Sequence, residues 1–459
     1  MTTVFHLPVT VSERKPATSL AKTTVSDKAN TSADHRFPTR LESLAKVPGQ
    51  LALLTFGNSN PAPNATSGSA YNMQNKWGLS DEDVAFQKRV RQYARTQVEP
   101  RAAQNDKDLR FDPQAMPELV QQGLLGISVP TQYGGLGKGY LQTALAVEEI
   151  ARVDGSMAIT LNAHYLAASL LDKFASEEQK RTVLAPMIQS GVGALAMTEP
   201  NIGSDVASIE TTAVKQTTPQ GNQYVMNGKK RFITNANQAH TWVVLASTNP
   251  ALKGKGQSIF LLNRNTPGFS RGPIQDKMGM RGADWGTLVF ENAVIPEANR
   301  VGNEGDGFKQ AMYAMDCGRV LVSAFSVGIA QGALDKALAY AKTRKQFDKP
   351  LIEHQEIQGM LANMVTHIET CRSYVYQVAR MKDAGLPFSW EASVAKLKSA
   401  EMAAKITHDA MILMGGNGYT KDYPVERYHR DAIAAEIVEG SPAIQKMIIA
   451  KGLAKQALD

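Results

Sequence analysis

The feature that most constrains this chain is that its apolar residues change period twice. From Ser80 to about Ser190 they recur at helical spacing. Between about Gly193 and Gly302 they fall into short strand-sized runs, and from Gly307 onwards helical spacing returns. A chain written this way places one sheet unit between two helical ones. The strand-like runs, Tyr224 to Met226, Thr241 to Ala246, Ser258 to Leu262 and Thr287 to Phe290, are separated by Gly, Pro and Asn turns with no crossover helices. That predicts an antiparallel sheet, barrel or sandwich and argues against a doubly wound parallel fold. The predicted architecture is mainly α with a central β-domain: an N-terminal helical domain over residues 79–192, the β-domain over 193–302 and a helical bundle over 303–459.

Local signals agree with this division. Ser80 is an N-cap candidate followed by Asp81, Glu82 and Asp83, negative charges that favour a helix N-terminus. Helical patterns run through Met312 to Thr343, His354 to Asp383 and Ala392 to Met414, with Gly415 as a stop, and a last helix is predicted from Ser441 (N-cap) and Pro442 (first position). No internal repeat is present. Residues 1–72 differ from the rest: they hold 18 Ser or Thr, six Pro and 7 Lys or Arg against 4 Asp or Glu. They read as a disordered or transit-like extension, although Glu13 and Asp27 are unusual in a transit peptide, and Met73 is an alternative start. The implied location is cytoplasmic, or the mitochondrial matrix if that extension is a transit peptide.

Composition narrows the function classes. The net charge of +7 over 459 residues is dispersed, and the extension carries +3 of it, so nucleic-acid binding is not favoured. Two cysteines, Cys317 and Cys371, lack partners at zinc-ligand spacing and read as reduced thiols. The longest unbroken apolar runs, such as Trp242 to Ala246, are strand-sized, so no membrane span is predicted. Glycine clusters at 133–137 and 415–419 follow or join helices, which argues against a nicotinamide-binding loop. Met312 and Met315 read as core, and His354 and His367 lack a ligand framework, so no metal site is predicted.

More specific is the turn-rich loop Ala196-Met197-Thr198-Glu199-Pro200-Asn201-Ile202-Gly203-Ser204-Asp205. With it go Arg231 to Asn235, Arg344 to Phe347, and the run from Met414 through Gly415-Gly416-Asn417-Gly418-Tyr419, Pro424 to Arg427 and Arg430-Asp431 to Glu439-Gly440-Ser441. Together, over about Leu79 to the C-terminus, these motifs resemble the acyl-CoA dehydrogenase family.

The resemblance implies an N-terminal helical domain, a β-domain and a C-terminal four-helix bundle, noncovalent FAD, and a homotetramer or homodimer. It implies α,β-dehydrogenation of an acyl thioester (acyl-CoA to trans-2-enoyl-CoA), with Glu439 taking the α-proton and a β-hydride passing to flavin N5. Thr198, Phe232, Ile233 and Thr234 are placed beside the flavin ring. Arg344, Phe347, Gly415 and Gly416 are placed at the adenosine and pyrophosphate end of FAD, across a subunit boundary, and Ser441 near the flavin. Ser204, Asp316, Arg319, Val438 and Gly440 are placed on the substrate. A minority of the family carry the base just before the Arg matching Arg319; that slot is Gly318, which has no proton-accepting side chain. The electron acceptor implied is an electron-transfer flavoprotein or oxygen.

The chemistry is reasonable on physical grounds. Removing a proton α to a carbonyl needs a positioned carboxylate and an oxyanion site. Glu439 stands two residues ahead of a predicted helix N-cap, where the dipole favours its ionised form, while burial pushes the other way. The family's oxyanion site would be the Glu439 N–H with a flavin ribityl hydroxyl. Departures from the family pattern are Ile412 for a Gln, Pro442 and Ala443 for residues often polar, Val438 for an aromatic, Phe232 for a Trp, and Trp285 for a small residue. Smaller groups at 232 and 438 predict room for a branched or bulky acyl group. Three alternatives compete: oxidation of an acyl or aminoacyl group on a carrier protein, a nucleic-acid-binding flavoprotein of the same fold, and flavin oxidation of nitroalkanes or N-hydroxylation.

Overall fold

Ser80 does cap the first helix. Its side chain accepts from the Asp83 N–H at 3.1 Å while Asp83 accepts from the Ser80 N–H at 3.0 Å, a reciprocal box that opens α1 (Asp81–Tyr93). The computed structural model describes residues 77–455 apart from residue 220, so the expectations for residues 1–72 and Met73 lie outside the described residues. A π-helical turn joins α1 to α2 (Glu99–Asp108), and α3 (Ala115–Gln121), α4 (Tyr140–Ala151), α5 (Gly155–Phe174), α6 (Glu177–Gln179) and α7 (Ala185–Ser190) complete the first helical region. Asp154 caps α5 by accepting from the Ser156 N–H at 2.8 Å.

The sheet holds β1 (Gly193–Ala196), β2 (Thr212–Thr218), β3 (Gly221–Thr234), β4 (Thr241–Ser247), β5 (Gln257–Leu262), β6 (Phe269–Arg271), β7 (Trp285–Pro296) and β8 (Arg300–Val301), in the order β6-β7-β3-β2-β4-β5-β8, with β1 on β4. Five of the neighbouring pairs are antiparallel, as predicted, but β1 runs parallel to β4 and β2 meets β4 in one parallel bridge. The expectation of a purely antiparallel sheet is corrected to a mixed one. A parallel pair needs a long connection, and here the β2–β3 hairpin supplies it in place of a helix.

Alternation explains how the sheet sits. In β4, Trp242, Val244 and Ala246 join Phe260, Leu262, Leu288 and Ile295 in the sheet's own core. The intervening Val243 and Leu245 join the helical core. β4 and β5 are therefore buried on both faces.

The last region is α8 (Gly307–Thr343), a hairpin of β9 (Lys345–Gln346) and β10 (Lys349–Pro350), α9 (Gln355–Asp383), α10 (Ser389–Met414), α11 (Gly416–Tyr419), α12 (Val425–Ile437) and α13 (Pro442–Leu453). Its central helix bears on the expectation that no membrane span is present. α8 is long and apolar enough to cross a membrane, but 94% of that stretch is buried against the rest of the protein. The sequence hid it because Gly and Ser break up every apolar run. The same small residues let neighbours approach: a Cβ on Gly328 would lie 2.2 Å from the Glu148 carbonyl oxygen of α4. Both helical regions share this one core, with residues of α4, α5, α8, α9, α10 and α12 in mutual contact.

Candidate active site

Strand β3 prepares one wall. Lys230 pairs with Leu288 and Ile233 with Gly286, so Arg231 and Phe232 together oppose the single residue Thr287. This bulge re-aims the side chains. Phe232 takes a φ of 59° and is 47% exposed, whereas Ile233 is buried in the sheet core and supports the wall from behind. Thr234 pairs with Trp285, which places both side chains on the same face as cross-strand neighbours. The Trp285 ring lies 6.4 Å from that of Phe232, and its indole N–H is buried with no partner among the described residues. The Arg231 guanidinium covers Phe232 from 4.7 Å.

The loop after β1 is fixed behind this wall by a buried ion pair that sequence reasoning missed. Lys230 donates to Glu199 at 2.8 Å and to the Met197 carbonyl at 3.0 Å, and Glu199 also accepts from the Glu210 and Thr211 N–H groups at 2.5 and 3.0 Å. Half-buried Thr198 is held through its carbonyl by the Arg231 N–H at 2.8 Å. Ser204 and Asp205 further along the loop are exposed. Asn235, with a φ of 66°, ties the wall to the helices by donating to the Thr160 and Gly193 carbonyls at 3.1 and 3.0 Å.

Glu439 lies in the turn between α12 and α13. It has a φ of 58° and is followed by Gly440 at 97°, two successive left-handed residues of which the first is not glycine. Such a conformation persists where the surroundings over-determine it. Arg319 of α8 donates to the Glu439 carbonyl at 3.3 Å, and Gln445 of α13 donates to the Glu439 and Gly440 carbonyls, each at 3.0 Å. Lys396 of α10 donates to the Gly440 and Glu436 carbonyls at 2.6 and 2.9 Å.

The residue as a whole is half-buried, but Oε2 of its carboxylate is sealed from solvent and unpartnered among the described residues. Oε1 meets only Asn162 Nδ2 of α5, at 3.4 Å. Burial therefore pushes the carboxyl up to about 7, against the opposing charges of Arg319 and Lys396 and the Asn162 hydrogen bond. That places the proton affinity near neutrality, suited to a general base. The sequence had left the balance between burial and helix dipole open; burial wins.

Gly318 lies beside this carboxylate. A Cβ there would lie 2.6 Å from Glu439 Oε2 and 2.5 Å from Leu166 Cδ2, so the alternative slot opens on the space that the Glu439 carboxylate fills. No described residue takes the Glu439 backbone N–H. Ser441 caps α13 in position but makes no side-chain cap bond, and half-buried Val438 packs on the helical core beside it.

Other sequence-predicted residues fall elsewhere. Arg319 is 5% exposed and pairs with half-buried Asp316 at 2.5 Å, so its guanidinium is engaged under the Glu439 turn. Arg344 and Phe347 lie on the exposed β9–β10 hairpin, Phe347 being 88% exposed. Gly415 and Gly416 are exposed at the start of α11, whose Asn417 donates to the Tyr340 hydroxyl at 2.8 Å. Gly318 and Tyr340 both lie on α8, about 33 Å apart at 1.5 Å per residue. Glu439 therefore lies against the N-terminal half of that helix, with α5 linking it through Asn162 to the Asn235 end of the β3 wall, whereas Arg344 follows the helix's far end and Asn417 meets Tyr340 there. A hollow of about 530 Å³ on the α9 face, lined by Thr370, Ser373, Tyr374 and Gln377, shares no residue with either group.

Comparison with known proteins identifies the family. The chain matches the acyl-CoA dehydrogenase N-terminal domain over residues 80–191, the middle domain over 194–293 and the C-terminal domain over 305–454. It is 41% identical over 375 residues to a short-chain-specific acyl-CoA dehydrogenase of Clostridium acetobutylicum, covering 81% of this chain and 98% of that one. Among solved structures it is similar to butyryl-CoA dehydrogenase from Megasphaera elsdenii, with a TM-score of 0.80, 37% identity, and 82% and 99% of the two chains covered. It is also similar to the prolyl acyl carrier protein oxidase AnaB, with a TM-score of 0.78, 31% identity, and 82% and 99% covered. With its three domains matched in order, the chain belongs to the acyl-CoA dehydrogenase family of flavoprotein oxidoreductases.

Proposed function

We propose that this enzyme dehydrogenates the α,β bond of a short acyl-CoA, with Glu439 as the base that removes the α-proton. The observation that carries the reading is the carboxylate itself: dry, unpartnered at Oε2 and shifted to about 7. A group so placed holds a proton weakly enough to be ionised at neutral pH and strongly enough to accept one from a thioester. The unused Glu439 N–H is the donor for the charge that grows on the thioester oxygen.

FAD fits the residues present. Phe232, Thr234 and Trp285 offer one aromatic and polar face with an unsatisfied indole donor, Thr198 borders it, and Ser441 has an uncommitted hydroxyl. The bound flavin supplies a two-electron acceptor for the β-hydrogen. Arg344, Phe347, Gly415 and Gly416 lie too far along α8 to hold the same FAD in one chain, which supports their serving the cofactor of a second copy in a homo-oligomer. Short acyl groups are favoured by the likeness to the short-chain and butyryl enzymes. Anaerobic titration of the yellow protein with butyryl-CoA is expected to bleach the flavin; unchanged absorbance with butyryl-, isobutyryl- and hexanoyl-CoA alike removes the proposal.

One observation favours a second reading, oxidation of a carrier-bound group. Arg319, placed by resemblance on the substrate, is buried and committed to Asp316 and the Glu439 carbonyl, so it offers no charge to a CoA nucleotide. The likeness to a carrier-protein oxidase points the same way. Bleaching by prolyl or acyl carrier protein thioesters, but not by CoA thioesters, would select it.

A further inference from the structure

The Glu439 turn is held by a cation that nothing in the sequence reading assigned. Lys396 lies on the buried stripe of α10 formed by Ala392, Lys396, Ser399 and Ala403, and is 1% exposed. Taking an ammonium out of water costs several kcal/mol, so a buried lysine needs a reason. Its hydrogen bonds go to the carbonyls of Glu436 and Gly440, which brackets Glu439 from both sides and closes the C-terminal end of α12, where orphan carbonyls want donors. Among the described residues it forms no ion pair with a carboxylate.

The charged and titratable groups facing Glu439 are few. Arg319 comes from α8, Tyr140 from α4 and Lys396 from α10, while Asn162 of α5 is neutral; behind them Asp316 pairs with Arg319, and Glu436 of α12 acts on Lys396. Arg319 is bonded to Asp316 at 2.5 Å, so much of its charge is offset at source. Lys396 has no carboxylate in hydrogen-bond reach among the described residues, and the charges that act on it are those of Glu439, Arg319 and Glu436. Its positive charge acts on the Glu439 carboxylate alongside that of Arg319.

We propose that Lys396 is a positioning residue of the active site: it straps the Glu439 turn in its left-handed conformation through the Glu436 and Gly440 carbonyls, and its charge, with that of Arg319, favours the ionised base. The proposal rests on the reading of Glu439 as the base. Burial lowers the lysine's own proton affinity to about 8, so the charge is present throughout the range in which the base must work and fades above it.

The test is the pH profile of kcat/KM for the FAD-loaded enzyme with butyryl-CoA. Lys396→Gln keeps amide donors for the two carbonyls and removes the charge; its acid limb is expected to move up by about one pH unit, as for loss of an opposite charge beside a carboxylate. Lys396→Arg keeps the charge and is expected to leave the limb in place while lowering kcat. A Lys396→Gln limb that superposes on wild type in a folded, FAD-retaining enzyme overturns the proposal. Should Lys396→Gln fail to fold, Lys396→Arg decides alone, a displaced limb overturning it. Failure of the underlying reading looks different: full activity in Glu439→Gln would remove the base itself, whatever position 396 does.

Discussion

Glu439 combines two unfavourable features, a left-handed backbone and a buried carboxyl, and both have measurable consequences. Its proton is held more tightly in the folded chain than in the unfolded one, with the pKa raised from 4.5 to about 7. The stability this group contributes is complete below about pH 4.5 and is lost as pH rises through 7. Glu439→Gln is therefore expected to be more stable than wild type at pH 8, by on the order of 1 to 3 kcal/mol, and to converge with it towards pH 4.5. Melting curves of the two FAD-loaded proteins at both pH values check this, and a gap that does not change with pH contradicts it. The same variant should keep its flavin and lose about 10²- to 10⁴-fold in kcat/KM, while the wild-type profile falls on the acid side near pH 7, because only the ionised carboxylate accepts a proton. Gly318 makes a companion case. Its hydrogen leaves the space that the carboxylate and Leu166 fill, and Gly318→Ala would place a methyl 2.6 and 2.5 Å from them. Both neighbours are side-chain ends, so the fold should survive at a loss of about 1 to 3 kcal/mol while kcat drops through displacement of the base. An Ala variant with wild-type kcat would show that the carboxylate is not fixed there.

At the scale of elements, the strand wall depends on one ion pair. Lys230 of β3 and Glu199 after β1 have side chains at most 1% exposed, and the pair holds the loop that carries Thr198. Breaking such a pair leaves a buried charge uncompensated, which costs about 3 to 5 kcal/mol. Lys230→Met is expected to lower the urea midpoint accordingly, and Lys230→Met with Glu199→Gln to recover part of the loss; a single variant within 1 kcal/mol of wild type would place the pair outside the core. Neither partner was legible in the sequence. Helices were, because α1, α8, α9 and α10 declare themselves through local stripes and caps such as Ser80, and the β-domain was, because its runs are short and separated by turns. What failed was non-local. The parallel β1–β4 pair depends on which strand lies next to which, and the bulge at Arg231 and Phe232 on a register set by β7. Lys396 left a visible trace, a lysine interrupting the small-residue stripe of α10, but a charge on an apolar face has a meaning only when its partners are known. The Arg319 side chain is a related case: the resemblance placed it on the substrate, and what the sequence did not show is that it is buried and donates to the Glu439 carbonyl.

At the scale of the molecule, α8 organises everything else. It is the shared core of both helical regions, and its two ends have different jobs. Near Gly318 it backs the Glu439 carboxylate; near Tyr340 it carries the hairpin with Arg344 and Phe347 and meets α11 through Asn417. The far end is conspicuous for unburied apolar side chains, Phe347 at 88% exposed and Tyr419 at 83%. A phenylalanine set on a turn with positive φ at both Phe347 and Asp348 is held out by design of the backbone, and its one ring neighbour is His354 at 6.1 Å. Removing it should cost the isolated chain less than about 0.5 kcal/mol. If the hairpin instead reaches the FAD of a second copy, Phe347→Asp should lower the oligomeric state in sedimentation and reduce the flavin retained per chain, while circular dichroism and the Glu439 acid limb of the remaining loaded fraction stay as in wild type. Unchanged sedimentation together with unchanged flavin content would confine the whole cofactor site to one chain, and the separation of about 33 Å along α8 would then need a different explanation for the motif at 344 to 347.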